Sequence, residues 1–373
     1  MLPVYRALLP RVEHLIPYLG RIDEARWYSN RGALVELLEG RLGELLGDAG
    51  AKVTTASSGT AAIEAAILAT AGRATRERPL ALLPAYTFIA TALAVEACGF
   101  TPYLLDVDAS TWALDPHALI GHPALSRAGI VVPVAPYGCA FSQNDWLTFR
   151  DQTGIPVVID AAAAVEAMID DPHQTTGSIP VALSFQATKA FSTGEGGAVV
   201  WSDTEGLTRV ARALNFGMLY SRASTTAGLN GKLSEYHAAV GLASLDGWEE
   251  RRRANGAVVA LYQSVATAYG LAAQLSVAPA LASNYAVLDA GSEAMANEVI
   301  AVLQAERIET RRWYGLGLHR ETHLEGVERD ALVNTERIAP LIVGLPIACD
   351  ISASQIECIM RAAATVLTCK APV

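Results

Sequence analysis

The sequence predicts an α/β fold with a mainly parallel sheet and a second, smaller unit, and three observations carry that reading. Continuous apolar runs of strand length alternate with helical patterns as far as Trp201, which suits a sheet covered on both faces. Phe88, Asp160 and Ser184 all fall at the carboxyl ends of such runs, where ligands sit in open α/β sheets. The chain has 373 residues, more than one small core organises, so two packed units are expected.

Taken in order, residues 31–46 place Leu34, Leu37, Leu38, Leu42, Leu45 and Leu46 at helical spacing, with Gly47 as a stop. Val53 to Thr60 reads as a small-residue turn feeding an Ala-rich helix from Ala61 to Ala69. The free amides of that helix start, with the hydroxyls of Ser58 and Thr60, suit a phosphate; plain N-capping by either hydroxyl is the alternative. Leu80–Leu83, Thr101–Asp106, Gly129–Val134 and Ile155–Ile159 read as strands, with helices from Ile89 to Ala97 and up to Arg150 between them. Ile179–Leu183 and Ala198–Trp201 are two further strands, followed by a helix from Thr204 to Leu214 and a loop from Asn215 to Asn230. Lys232 to Glu250 reads as one long helix, with the domain boundary near the charged run Glu249–Arg253. Beyond it, helices at about 254–269, 292–305 and 353–367 mix with short strands around 284–289 and 341–344. The division expected is therefore 1–248 for the large domain with its lead-in and 249–373 for a small α+β domain.

Composition narrows the function classes. Hydrophobic residues at 51% and charged residues at 18% describe a folded globular chain. The net charge of -10 is spread over short segments, and no basic stripe or helix-turn-helix supports nucleic-acid or anionic-membrane binding. Met1–Arg6 lacks the pattern of a signal peptide, and no apolar run approaches a bilayer span. Cys98, Cys139, Cys349, Cys358 and Cys369 are odd in number and form no C-x-x-C pair, which fits reduced thiols in a cytoplasm. The histidines show no metal spacing, so no metal is expected, and no dinucleotide or P-loop motif follows any strand.

One stretch stands apart. Ser184-Phe185-Gln186-Ala187-Thr188-Lys189, running on to Gly194-Glu195-Gly196-Gly197, holds a lysine between two buried strands. Burial disfavours an ammonium unless it is paired, neutral or covalently occupied, whereas an exposed turn lysine needs no explanation.

Together the pieces resemble the DegT/DnrJ/EryC1/StrS family of pyridoxal-phosphate aminotransferases, over nearly the whole chain. Tyr28-Ser29-Asn30-Arg31-Gly32 looks like the family's lead-in, and Ser58-Gly59-Thr60-Ala61 is similar to its phosphate turn. Pro84 to Thr91 is similar to the ring-stacking segment, and Asp160-Ala161-Ala162 to the motif whose aspartate meets the pyridine nitrogen. Ser184 to Lys189 resembles the segment of the Schiff-base lysine, Gly228 to Glu235 the loop lent to the neighbouring subunit, and Thr335-Glu336 with Leu345-Pro346 the C-terminal end.

The resemblance implies a fold of type I, aspartate-aminotransferase-like, whose large domain has a mainly parallel seven-stranded sheet. It implies pyridoxal 5′-phosphate as a covalent aldimine to Lys189, with pyridoxamine phosphate in the half-reaction. Lys189 would move the proton and Asp160 would keep the pyridine nitrogen protonated. Phe88 would stack on the ring. Ser58, Gly59, Thr60, Ser184 and the partner's Asn230 would hold the phosphate. The enzyme would act as a homodimer with shared sites. It would move an amino group from an amino acid, L-glutamate foremost, to a keto group of a nucleotide-linked deoxysugar. A keto-cyclitol acceptor, or a cofactor-binding regulator without turnover, are the rival readings. Tyr137, Glu195, Tyr314 and His319 are the candidate substrate contacts. Three positions depart from the family: Ala163 replaces a common glutamine near the cofactor's phenolic oxygen, Gln186 a histidine of some members, and Lys232 a common arginine. Retention of Lys189 separates the chain from the dehydratase branch, where histidine replaces it.

Overall fold

The computed structural model describes residues 1–46 and 52–368, so Gly47 and Cys369 lie outside the described residues. Seven strands, β1 (Lys52–Ala56), β2 (Leu80–Pro84), β3 (Thr101–Leu105), β4 (Ala128–Val131), β5 (Ile159–Asp160), β6 (Val181–Ser184) and β7 (Gly197–Trp201), run side by side. Their order is β1-β7-β6-β5 and β3-β2-β4, joined by parallel bridges from Val131 to Val157 and from Val134 to Asp160. All lie parallel except β7, which is antiparallel to both β1 and β6. Period-2 geometry then sorts the side chains. Leu80, Leu82, Val181, Leu183, Ala198 and Val200 enter one core, and Ala81, Leu83, Ala182 and Val199 enter the core on the opposite face.

Helices cover both faces. On one side α2 (Ala33–Leu45), the helix Gln143–Thr153 and the helix Glu235–Asp246 pack, with α1 (Val12–Ala25) outside the last of these. On the other, α3 (Gly59–Thr70) and α4 (Ile89–Ala97) lie with the helix Thr204–Ala213. Alanines let α3 sit against strands β1, β6 and β7 and against its neighbouring helices, buried on several sides at once.

A third core lies beyond. Antiparallel β8 (Leu275–Ser276), β9 (Val287–Asp289) and β10 (Ile342–Gly344), ordered β10-β9-β8, pack with the helices Trp248–Ala268, Glu293–Ala305 and Ala353–Leu367 around Tyr262, Leu288, Val299 and Ile359. The 248/249 line is crossed in both directions. Leu2 and Tyr5 bridge to Ile308 and Ile347, while Leu318, Leu324 and Leu332 return to the core under α3 and α4.

Two local expectations need correction. Val53–Ala56 belongs to edge strand β1, because its β-branched Val-Thr-Thr run pairs with β7; the turn is confined to Ser57 and Ser58. Lys232–Glu250 is not one helix. Gly247 separates Glu235–Asp246 from a 21-residue helix beginning at Trp248, whose first turns carry the charged run. There Arg252 pairs with Asp170 at 2.5 Å.

Glu235, the last residue of the loop motif, has a task within its own chain. Its buried carboxylate accepts from the amides of Gly32, Leu34 and Val35 at 3.0, 2.8 and 3.2 Å, satisfying the open start of α2. A Cβ at position 32 would lie 2.7 Å from the Glu235 carboxyl carbon, so only glycine permits this approach. Glu235→Ala strands three buried amides and is expected to cost about 3 kcal/mol, read as a lower urea midpoint. An unchanged midpoint would show that water replaces the cap at no loss.

Candidate active site

The connection from β6 to β7, residues 185–196, folds back as a hairpin-like loop and so makes β7 antiparallel. Phe185 and Phe191 bury their rings edge to face at 4.9 Å beneath it. Across the loop, the amides of Phe185 and Ala187 donate to the carbonyls of Gly196 and Gly194, both at 2.8 Å. The Lys189 amide turns back to the Gln186 carbonyl at 2.8 Å, and the Gln186 side chain accepts from the amide and hydroxyl of Thr188. Backbone bonds on both sides thus lift a half-buried Lys189 over the carboxyl edge of the sheet.

A cavity of about 450 Å³ opens at that edge. Ser58, Gly59, Thr60, Phe88, Asp160, Ala163, Ser184, Lys189, Glu195 and Tyr314 all line it, joined by Tyr285, Arg311 and Trp313 from beyond residue 248. Asp160 ends β5 at its floor, 4% exposed. The Thr91 hydroxyl donates to one of its oxygens at 2.7 Å and the Ala162 amide to the other at 3.1 Å. Burial raises its pKa above the ordinary carboxylate value; the Thr91 hydroxyl, the Ala162 amide and the charge on Lys189 pull the other way without cancelling it.

The start of α3 faces the end of β6 at close range. A Cβ at Gly59 would stand 2.7 Å from that of Ser184, so the backbone there is bare by necessity. The Ser58 hydroxyl caps the helix by accepting from the Ala61 amide at 3.1 Å, while the Gly59 and Thr60 amides belong to the first turn, where a helix has no internal acceptor. Capping and anion binding are therefore compatible, because they use different amides. Phe88, 58% exposed, stands at the N-terminus of α4 on the rim.

Other expected residues are placed elsewhere. Tyr137 is fully buried, its hydroxyl 2.8 Å from that of Tyr86 and its amide donating to the Tyr314 hydroxyl at 2.8 Å. It supports the aromatic wall from behind and does not line the cavity. His319 is also buried outside the lining, 3.6 Å from Glu336, and burial lowers its pKa. Asn230 is exposed and off its own chain's cavity, accepting from the Lys232 amine at 2.8 Å. Thr91, as the partner of Asp160, and Asn284 and Tyr285 are not marked as site residues by the sequence. Their one local signal was Ser283-Asn284-Tyr285, three polar-tipped residues directly before the apolar run of β9.

Comparison with known proteins bears on this arrangement. The model of the DegT/DnrJ/EryC1/StrS aminotransferase family matches residues 11–364. The chain belongs to that family. It is an aminotransferase, and its fold is that of the type I pyridoxal-phosphate-dependent enzymes. Protein Rv3402c of Mycobacterium tuberculosis is 32% identical over 357 residues, covering 93% of this chain and 85% of that protein. The dTDP-4-amino-4,6-dideoxy-D-glucose transaminase of Shigella dysenteriae is 31% identical over 238 residues, 64% of this chain and 63% of that protein. Among solved structures, a putative PLP-dependent aminotransferase from Bacillus cereus superposes with a TM-score of 0.87 at 26% identity, over 97% of this chain and 99% of that one. DesI, crystallised with its TDP-sugar product, gives 0.83 at 28% identity over 97% and 92%.

The raised pKa of Asp160 has a measurable consequence. A carboxyl whose folded value exceeds its unfolded one stabilises the fold below about pH 4, and that contribution is lost as pH rises through the folded value. In cofactor-free protein, Asp160→Asn is therefore expected to gain in thermal midpoint relative to wild type as pH rises above about 4, the gap widening until the folded carboxyl has ionised. A difference that stays constant across that range would contradict the assignment.

Proposed function

We propose that this protein is a sugar aminotransferase that moves an amino group from an amino acid, L-glutamate first among them, to a keto group of a nucleotide-linked deoxysugar. Its cofactor is pyridoxal 5′-phosphate. The observation that carries the reading is the convergence of Lys189, Asp160 and the first turn of α3 on one cavity. The likeness to DesI and to the Shigella dysenteriae transaminase supports a nucleotide sugar as the acceptor. The product would feed a surface polysaccharide, a glycolipid or a natural-product glycoside.

The residues fit the cofactor group by group. The amides of Gly59 and Thr60, with Ser184 across the bare backbone, would hold the phosphate at a helix N-terminus. Asp160, desolvated and bonded to neutral donors as well as facing Lys189, would take the protonated ring nitrogen as its cation. Phe88 would cover one ring face. When bound, the cofactor supplies an electron sink for the carbon that loses its proton. Lys189 would move that proton between the substrate carbon and the cofactor's C4′ carbon, its reach set by the backbone bonds of residues 185–196. The cavity-lining rings of Tyr285, Trp313 and Tyr314, backed by buried Tyr86 and Tyr137, would keep water from that side of the reaction.

We also propose a homodimer in which Asn230 of the partner subunit completes the phosphate site. This is supported by the position of Asn230 outside its own cavity, on an exposed loop. A cytoplasmic setting accords with the four described cysteines, all of them free thiols. The test of the reaction is the visible spectrum of the purified protein before and after L-glutamate. The band of the lysine-linked cofactor should give way to that of pyridoxamine phosphate, and Lys189→Ala should lose the conversion. A band that forms but ignores glutamate would remove this donor, and no band after loading would remove Lys189 from the mechanism.

A further inference from the structure

The amine of Lys189 donates to the hydroxyl of Tyr285 at 3.3 Å. Tyr285 is 7% exposed, and its ring is gripped edge to face by Tyr137 at 5.4 Å and by Trp313 at 5.3 Å. The residues before it are tied down as well. Ser283 donates its amide and its hydroxyl to the Glu166 carboxylate, both at 2.7 Å, and the Asn284 side chain donates to the carbonyl of Thr188 at 2.8 Å. Residue 284 thus holds the lysine's own turn while residue 285 meets the lysine's amine. Ring contacts on two sides and the tied-down residues before it hold the Tyr285 hydroxyl at the cavity's edge, against Lys189.

Packing alone does not account for a tyrosine there. Phenylalanine would fill the same aromatic cluster, and a buried hydroxyl left without a partner costs about 1–3 kcal/mol. The neighbouring Ala163 belongs to the same buried cluster and brings no hydrogen-bonding side chain to this end of the cavity. The other titratable or charged groups around the cavity are Asp160, Glu195, Arg311 and Tyr314. We propose that Tyr285 is a positioning residue for Lys189, whose hydroxyl aims the amine into the cavity and, as acceptor, favours the protonated nitrogen. This rests on the reading that Lys189 carries the cofactor, and it extends to the nitrogen once joined to it.

The test is a pH titration of the absorption spectrum of cofactor-loaded protein, which reads the proton on that nitrogen without turnover. Tyr285→Phe is expected to lower the midpoint by about one pH unit, a tenfold loss of proton affinity, because an acceptor of the charged form is gone. Tyr262→Phe removes a buried hydroxyl from the third core, one bonded to the Pro346 carbonyl and not to Lys189, and should leave the midpoint in place. A Tyr285→Phe midpoint equal to wild type overturns the proposal, as does an equal shift in Tyr262→Phe, since either denies Tyr285 a specific hold on the nitrogen. If wild type shows no lysine-linked band that Lys189→Ala abolishes, this proposal falls together with the reading beneath it. A wild-type band with an unmoved Tyr285→Phe sinks this proposal alone.

Discussion

A carboxylate withdrawn from water needs a cation, and the architecture of this site follows from meeting that need at Asp160. Two neutral donors, Thr91 and the Ala162 amide, satisfy its geometry, yet burial still holds its pKa above the ordinary range. Such a group favours any ligand that brings a protonated ring nitrogen against it. In the proposed reading, the same desolvation that costs the empty fold stability would become binding energy for a pyridinium. The helix start of α3 would supply the opposite electrostatic sign for a phosphate on the same ligand, with backbone amides in place of side-chain charge.

The sheet makes the two ends meet. Parallel strands deliver their carboxyl ends to one edge, so Asp160 on β5 and Ser184 on β6 are neighbours because β5 pairs with β6. The one antiparallel member, β7, exists because residues 185–196 fold straight back, and that fold is what suspends Lys189 over the edge. Residues beyond 248 then close the far side with Tyr285, Arg311, Trp313 and Tyr314, anchored by the hydrogen bonds of Ser283 to Glu166 and of Asn284 to Thr188. The cavity is therefore lined from both sides of residue 248, and Tyr285, Trp313 and Tyr314 pack in one cluster with Tyr86, Tyr137 and Ala163.

Much of this was legible in the sequence, for identifiable reasons. β2 and Val181–Leu183 of β6 are continuous buried apolar runs, and α4 begins and ends where the pattern sets it, at Ile89 and Ala97. The cavity residues Ser58, Asp160, Ser184 and Lys189 sit in local motifs at strand and helix ends, so short windows reveal them. What stayed hidden depends on contacts between distant residues. β1 reads as a turn because Thr54 and Thr55 are polar, and only pairing with β7 makes them strand. Thr91 looks like an ordinary helix residue until β5 brings Asp160 to it across 69 positions. Tyr137 was expected at the substrate and lies buried behind the wall, since an aromatic in a turn has no local mark of the side it faces. Tyr285 is 96 positions from the lysine it meets.

The most direct measurement is to load the protein with pyridoxal phosphate, reduce it with borohydride to fix the carbon–nitrogen link, and map the modified peptide by mass spectrometry. A single phosphopyridoxyl addition, on Lys189, is expected. Addition at another lysine, or none at Lys189, would contradict it.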